Sequence, residues 1–159
     1  MSLADDDEQR LVTWLPADER TAAAFERLSP VAEPTIDPEP EYQQAAREAF
    51  AAADVPLGRT RLINGSPIEV LPRLADESYE LVFLDGEVLD HPRYLADAVR
   101  ILRPGGVVVL HHAGALDPGH TGPVADAVRE AALIVADDDR FLPVVIPLGA
   151  GILAAAKAR

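Results

Sequence analysis

The chain contains no cysteine, so neither a disulfide framework nor thiolate chemistry is open to it. Positive charge is scarce: 14 Lys and Arg stand against 27 Asp and Glu, a formal net charge of -13. Nucleic-acid backbones and anionic membrane surfaces both call for basic patches, and this balance argues against either as a partner. Long apolar runs are also missing, with nothing near the ~20 residues that cross a bilayer. The acidic stretch at residues 5–8 lacks the basic flank of a signal peptide, and the expectation is a cytoplasmic protein. What remains is a chain of 159 residues with 48% hydrophobic side chains, enough for one globular domain with a sizeable core.

The most informative stretch is residues 79–112, YELVFLDGEVLDHPRYLADAVRILRPGGVVVLHH. Leu81, Val82, Phe83 and Leu84 run apolar without alternation, as in a strand covered on both faces, and Asp85 follows where that strand leaves the core. Pro92 suits the first turn of a helix, with Asp90 or His91 near its cap. Tyr94, Leu95, Ala98, Val99 and Leu102 then recur at helical spacing. Pro104 is expected to stop the helix and Gly105-Gly106 to turn the chain into a second apolar strand, Val107 to Leu110, that delivers His111 and His112 to the edge holding Asp85. Strand, helix and strand in this order make a βαβ unit, and the exits of its strands are where an open parallel sheet binds ligands.

The flanking sequence extends the pattern. Thr35-Ile36-Asp37 is a short apolar piece ending in an acid, and residues 41–53 form a helix with Tyr42, Ala45, Ala46, Ala49, Phe50 and Ala53 on one face. Residues 60–63 read as a strand leading to Asn64-Gly65-Ser66 and then a helix through Ile68, Val70, Leu71 and Leu74. A further helix spans 122–136, and 141–147 with 151–157 form a terminal strand pair that makes the last strand antiparallel. The fold class is α/β: a mostly parallel sheet with an antiparallel C-terminal strand and helices on both faces.

The ordered pieces TIDPEPE, INGSPIEVLPRL, YELVFLDGEV, Tyr94, LRPGGVVVL and the closing PLGAGILAAAKAR resemble the class I S-adenosylmethionine-dependent methyltransferases. Within that class they resemble the small-molecule O-methyltransferases that include the caffeoyl-CoA and catechol enzymes and their bacterial relatives, over about three quarters of the chain. The resemblance implies a Rossmann-like methyltransferase domain over residues 35–159 behind a helical or irregular segment at 1–34. It further implies S-adenosylmethionine as cofactor, a small hydroxylated acceptor and a homodimer. Asp37, followed by Pro38, would match the acid that holds the cofactor ribose, and Gly65 and Ser66 the turn beside the adenine. Asp85 would match an acid that contacts the cofactor and, in cation-dependent members, ligates a divalent metal. With His111 and His112 it makes up the candidate catalytic set.

Each residue also has a plainer reading. Asp37 before a proline can be a helix-start residue, Ser66 a helix cap, and Asp85 a solvated loop acid. Adjacent strand residues point to opposite faces, so one of His111 and His112 is expected to face Asp85 and the other to face away. His91 and His120 are expected in exposed loops. The chain also departs from the family. It has no glycine before Gly58, where a first strand and a glycine-rich turn belong, and nothing before Thr35 reads as that strand. His111-His112 stands where Asp-Asn is usual, and Val88 where a lysine is usual. Imidazoles bind transition metals but are poor Mg²⁺ ligands, so activity independent of Mg²⁺ is expected. The missing turn leaves two further readings: a methyltransferase-shaped binding or interaction module without catalysis, and a polypeptide heavier than the 17.0 kDa of these residues.

Overall fold

The apolar runs on either side of the Asp85 segment pair in parallel register, Val82 beside Val108 and Leu84 beside Leu110. The computed structural model of the protein describes residues 11–13 and 33–159. Its strands are β1 Leu11–Thr13, β2 Glu33–Asp37, β3 Thr60–Asn64, β4 Tyr79–Leu84, β5 Leu102–His111, β6 Phe141–Ile146 and β7 Ile152–Lys157. They form one sheet in the order β3-β2-β1-β4-β5-β7-β6. Strands β1 to β5 are mutually parallel, and β7 runs antiparallel to both of its neighbours. The mixed sheet is therefore the one the sequence implied. Strand order reverses between β1 and β4, and the carboxyl ends of the strands on either side of such a reversal splay to open a crevice.

Among the described residues four α-helices cover the sheet: α1 Pro40–Ala52, α2 Pro67–Val70, α3 His91–Ile101 and α4 Pro123–Ala136. Each carries proline at its first or second position, where the missing N–H has no helical partner to lose. Ala46 and Phe50 of α1 pack with Leu62 on one side of the sheet. Ile63, next along β3, belongs instead to the larger cluster of Ile36, Val82, Leu84, Leu95, Ile101, Val108 and Leu110 on the other side. Fully burying a side chain of this kind contributes about 1.5–3 kcal/mol, so the larger layer dominates the stability of the fold. A part-exposed network ties α3 to the segment that follows α2: Arg100 donates to the carbonyls of Leu71 and Leu74 at 2.8 Å each and pairs with Asp76 and Asp97. Lys157, 7% exposed, donates to the carbonyl oxygens of Leu102 at 2.6 Å and Val99 at 3.1 Å, closing the end of α3.

Three sequence expectations need correction. A strand does precede Thr35: β1 pairs Thr13 with Thr35 of β2 and Leu11 with Leu81 of β4, at the centre of the sheet. Residues 14–32, which include the glycine-poor connection, lie outside the described residues, as does most of the segment expected to be helical or irregular at 1–34. Helix α3 stops at Ile101, and Pro104-Gly105-Gly106 lies inside β5. The β4–β5 register jumps from Tyr79–Leu102 to Leu81–Val107, so the surplus residues form a bulge in the strand. Gly106 is required there, because a Cβ would sit 3.0 Å from the backbone oxygens of Arg103 and Glu80. The third correction is to α1, whose buried face carries Gln43, Ala46, Ala49 and Phe50, while Tyr42 is 53% exposed.

Candidate functional site

The carboxyl edge of the sheet collects four strand exits: Asp37 ends β2, Asn64 ends β3, Asp85 follows β4 and His111 ends β5. Asp37 Oδ1 accepts the Glu39 N–H at 2.7 Å, which turns the chain into α1. Its carboxyl is raised above the usual range chiefly by burial, against the lowering effect of that backbone bond. Gln43 was not singled out by sequence and is the main support of this corner. Its buried side-chain amide donates to the carbonyls of Asp37 at 2.9 Å and Ile63 at 2.7 Å, clamping the ends of β2 and β3 together. A glutamine among the alanines of a helix face is the signal that could have found it.

The Gly65 N–H donates to the Asp37 carbonyl at 3.2 Å, and Asn64 Nδ2 to that of Pro38 at 3.3 Å. Gly65 sits at φ +154°, and a Cβ there would lie 3.0 Å from Val70 Cγ2. Ser66 occupies the N-cap position of α2 but its hydroxyl makes no cap bond. Asp37, Pro38, Tyr42, Ser66, Gly86 and Tyr94 line a cavity of about 440 Å³, with the carboxylates of Glu39, Glu87 and Asp90 around it. The Tyr94 hydroxyl, pushed up to about 12 by burial and then by Asp90, stays protonated there. A larger hollow of about 660 Å³ against α1 and β3, lined by Arg47, Glu48, Phe50 and Leu62 among others, contains none of the residues the sequence points to.

The second half of the site is Asp85, His111 and His112. The Asp85 side chain is 8% exposed, and its Oδ1 lies 2.6 Å from His111 Nδ1. Burial raises the Asp85 carboxyl, and the two histidines oppose that shift. The expectation that only one imidazole faces the acid fails. His112 leaves the strand in a left-handed conformation, φ 66° and ψ 18°, so strand alternation ends at His111. Both rings lie beside Asp85, with centroids 4.3 Å apart, and the three side chains offer donor atoms within 4.8 Å of one another. Two of those donors are nitrogens, which a hard octahedral ion such as Mg²⁺ disfavours, so the cluster does not fit the Mg²⁺ site of cation-dependent relatives.

His91, expected in an exposed loop, is 1% exposed at the start of α3, and neither ring nitrogen meets hydrogen-bond geometry. Burial, and then the nearby His112, hold it down to about 4, with the Gly86 backbone working in the other direction. A histidine depressed from 6.5 to about 4 favours folding above pH 6.5 and loses that contribution as pH falls toward 4. At 1.36 kcal/mol per unit the loss is about 3 kcal/mol. Urea titrations at pH 7 and pH 4.5 should show this acid loss in the wild type and a smaller one in His91→Leu; equal losses would assign the acid sensitivity to other groups.

Comparison with known proteins places this geometry. Residues 4–113 match the family model described as a methyltransferase domain. A Mycobacterium avium protein is 53% identical over 127 residues, covering 77% of this chain and 57% of its own length, and a Mycobacteroides abscessus protein is 54% identical over 127 residues, covering 77% and 59%. Both are named as candidate O-methyltransferases. This chain thus spans somewhat less than two thirds of the curated relatives it matches. Among solved structures, the O-methyltransferase TomG of Streptomyces achromogenes, crystallised with S-adenosylmethionine, superposes with a TM-score of 0.81 at 22% identity, covering 96% of this chain and 74% of TomG. An O-methyltransferase of Bacillus cereus, in complex with S-adenosylhomocysteine, gives a TM-score of 0.81 at 16% identity over 95% of this chain and 74% of its own. With its family model matched over residues 4–113 and its strand order, the chain belongs to the methyltransferase domain family.

Proposed function

We propose that the protein transfers the methyl group of S-adenosylmethionine to a hydroxyl of a small acceptor, as a cytoplasmic homodimer. The observation that carries this reading is the arrival of Asp37 and of the Asp85–His111–His112 cluster at one edge of the sheet, on opposite sides of the strand-order reversal. A carboxylate accepts two hydrogen bonds from a vicinal diol, so Asp37, held by Gln43 and Glu39, suits the cofactor ribose. Pro38 and Ser66 line the cavity beside Asp37, next to Gly65, and this turn would receive the adenine. The S-adenosyl ligands of TomG and the Bacillus cereus enzyme, and the names of the mycobacterial relatives, support the same choice of cofactor and acceptor.

Methyl transfer asks for alignment more than for covalent help from the protein. The acceptor oxygen attacks the methyl carbon, the carbon–sulfur bond breaks with its electron pair going to sulfur, and S-adenosylhomocysteine departs. The hydroxyl proton passes to an imidazole of the cluster, the side-chain type best suited to general-base work. Asp85 orients His111 and offsets the charge it gains. Among the described residues no helix is long and apolar enough to cross a membrane.

Calorimetric titration with S-adenosylhomocysteine tests the cofactor half. Asp37→Ala should weaken binding by about 1.5–3 kcal/mol, the range for a hydrogen bond to a charged group. Equal binding by wild type and variant would reduce Asp37 to a helix-start residue. No binding by the wild type would favour the module without catalysis, for which the absence of glycine between β1 and β2 is the supporting observation.

A further inference from the structure

The resemblance implies a hard-cation site at Asp85, and the donor set found there disagrees with it. We infer that Asp85, His111 and His112 form a site for a divalent transition-metal ion of the Zn²⁺ or Co²⁺ type, and not for Mg²⁺. The binding stands on the geometry alone, and only the ion's use to the reaction rests on the proposed function.

The first support is convergence. Ligands about 2.0–2.2 Å from a common ion stand roughly 3–3.5 Å from one another. Here the three donor atoms lie within 4.8 Å, and the tightest pair, His111 Nδ1 and Asp85 Oδ1, is 2.6 Å apart. Side-chain rotation of about 1 Å opens the close pair and draws in the rest.

The second support is backbone strain. A left-handed non-glycine residue costs about 1–3 kcal/mol, and such residues persist where the surrounding structure enforces them. At His112, φ 66°, the strain brings the second imidazole to Asp85, which extended backbone would have turned away. Chemistry then selects the ion. Two imidazoles and one carboxylate suit zinc, cobalt or iron, whereas Mg²⁺ and Ca²⁺ select oxygen. Three protein ligands leave a coordination position open, the pattern of reactive and not structural sites. Among the described residues no Lys or Arg forms an ion pair with Asp85. An ion bound here would engage both imidazoles as ligands and would itself acidify a hydroxyl placed on it, in place of an imidazole acting as base.

The test is direct binding. EDTA-treated, dialysed protein should give visible Co²⁺ absorption bands on titration and bind one Zn²⁺ calorimetrically, with at least 100-fold preference over Mg²⁺. Asp85→Ala, His111→Gln and His112→Asn should each weaken Zn²⁺ at least tenfold, asparagine being chosen because it tolerates left-handed backbone; circular dichroism checks that each variant is folded. His120→Ala should bind as the wild type does. Absence of Co²⁺ bands, equal affinity for Mg²⁺, or unchanged binding in all three folded variants would overturn the site. S-adenosylhomocysteine titrations on the same samples separate the two readings. Cofactor binding without Co²⁺ bands removes only the metal, and Co²⁺ bands without cofactor binding remove only the proposed reaction.

Discussion

Gly151→Ala is expected to destabilise the protein by about 4 kcal/mol, through a single added methyl group. Gly151 sits at φ +84°, and its Cβ would come 2.1 Å from Gly114 N and 2.8 Å from Gly114 Cα. These are backbone atoms, and no side chain can swing aside to make room. The left-handed conformation costs alanine about 1–2 kcal/mol. Relief of the contact would also pull apart two hydrogen bonds, Ala113 N–H to Gly151 O at 3.1 Å and Gly114 N–H to Ala150 O at 2.8 Å, each worth about 0.5–1.5 kcal/mol. For a chain of this size the sum lowers the melting temperature by roughly 8–16 °C. Gly149 supplies the control: it is also left-handed, φ +60°, but a Cβ there meets nothing within 4 Å. Gly149→Ala should cost only the backbone contribution, about 1–2 kcal/mol. Equal melting temperatures for the two variants would show that the Gly114 contact relaxes freely. Because Ala113 and Gly114 directly follow His112, Gly151→Ala should also disturb the imidazole pair.

Asp85→Asn is expected to move activity and stability in opposite directions. In its proposed role as orienter and counter-charge for the imidazole that takes the acceptor proton, Asp85 should be worth about 10²–10⁴ in methyl-transfer rate. Its folded-state pKa is raised, chiefly by burial. A raised carboxyl contributes stability at pH below its unfolded value, and that contribution is lost as pH climbs through the folded value. Once ionised, the side chain is therefore a net burden on the fold. Asparagine keeps the shape and removes the charge, so the melting temperature at pH 7 should hold or rise while turnover of a catechol-type acceptor collapses. A variant that loses both together would make Asp85 a structural residue.

The parts of the molecule legible in the sequence are those with long, uniform signals. Leu81 to Leu84, the α3 repeat and Val107 to Leu110 could be placed because an unbroken apolar run and a 3.6-residue spacing survive any context. Strand β1 could not, since Leu11–Thr13 offers three residues beside an acidic stretch, and only its neighbours Thr35 and Leu81 make it a strand. Gln43 and His91 were missed for one reason: polarity suggests exposure, yet Gln43 is buried by the two carbonyls it satisfies, and His91 by its place at the first turn of a helix that packs inward. At His112 the alternation rule failed because it holds only while the backbone stays extended, and a single residue at φ 66° ends it.

The position of β7 governs the order in which the sheet can be assembled. It lies between β5 and β6, although it is made after both. Until residues 152–157 have left the ribosome, β6 has no strand to pair with, and the far side of β5 is a bare edge. Leu142, Val144, Val145 and Ile146, already exposed in the finished fold, meanwhile belong to an unpaired apolar hairpin arm. At about 5–20 residues per second that interval lasts on the order of a second, long enough for an unpaired edge to meet other nascent chains. Insertion of β7 is then a late event that joins distant parts of the chain at once: His111 pairs with Ile152, Phe141 pairs with Lys157, and the Lys157 ammonium reaches the last turn of α3.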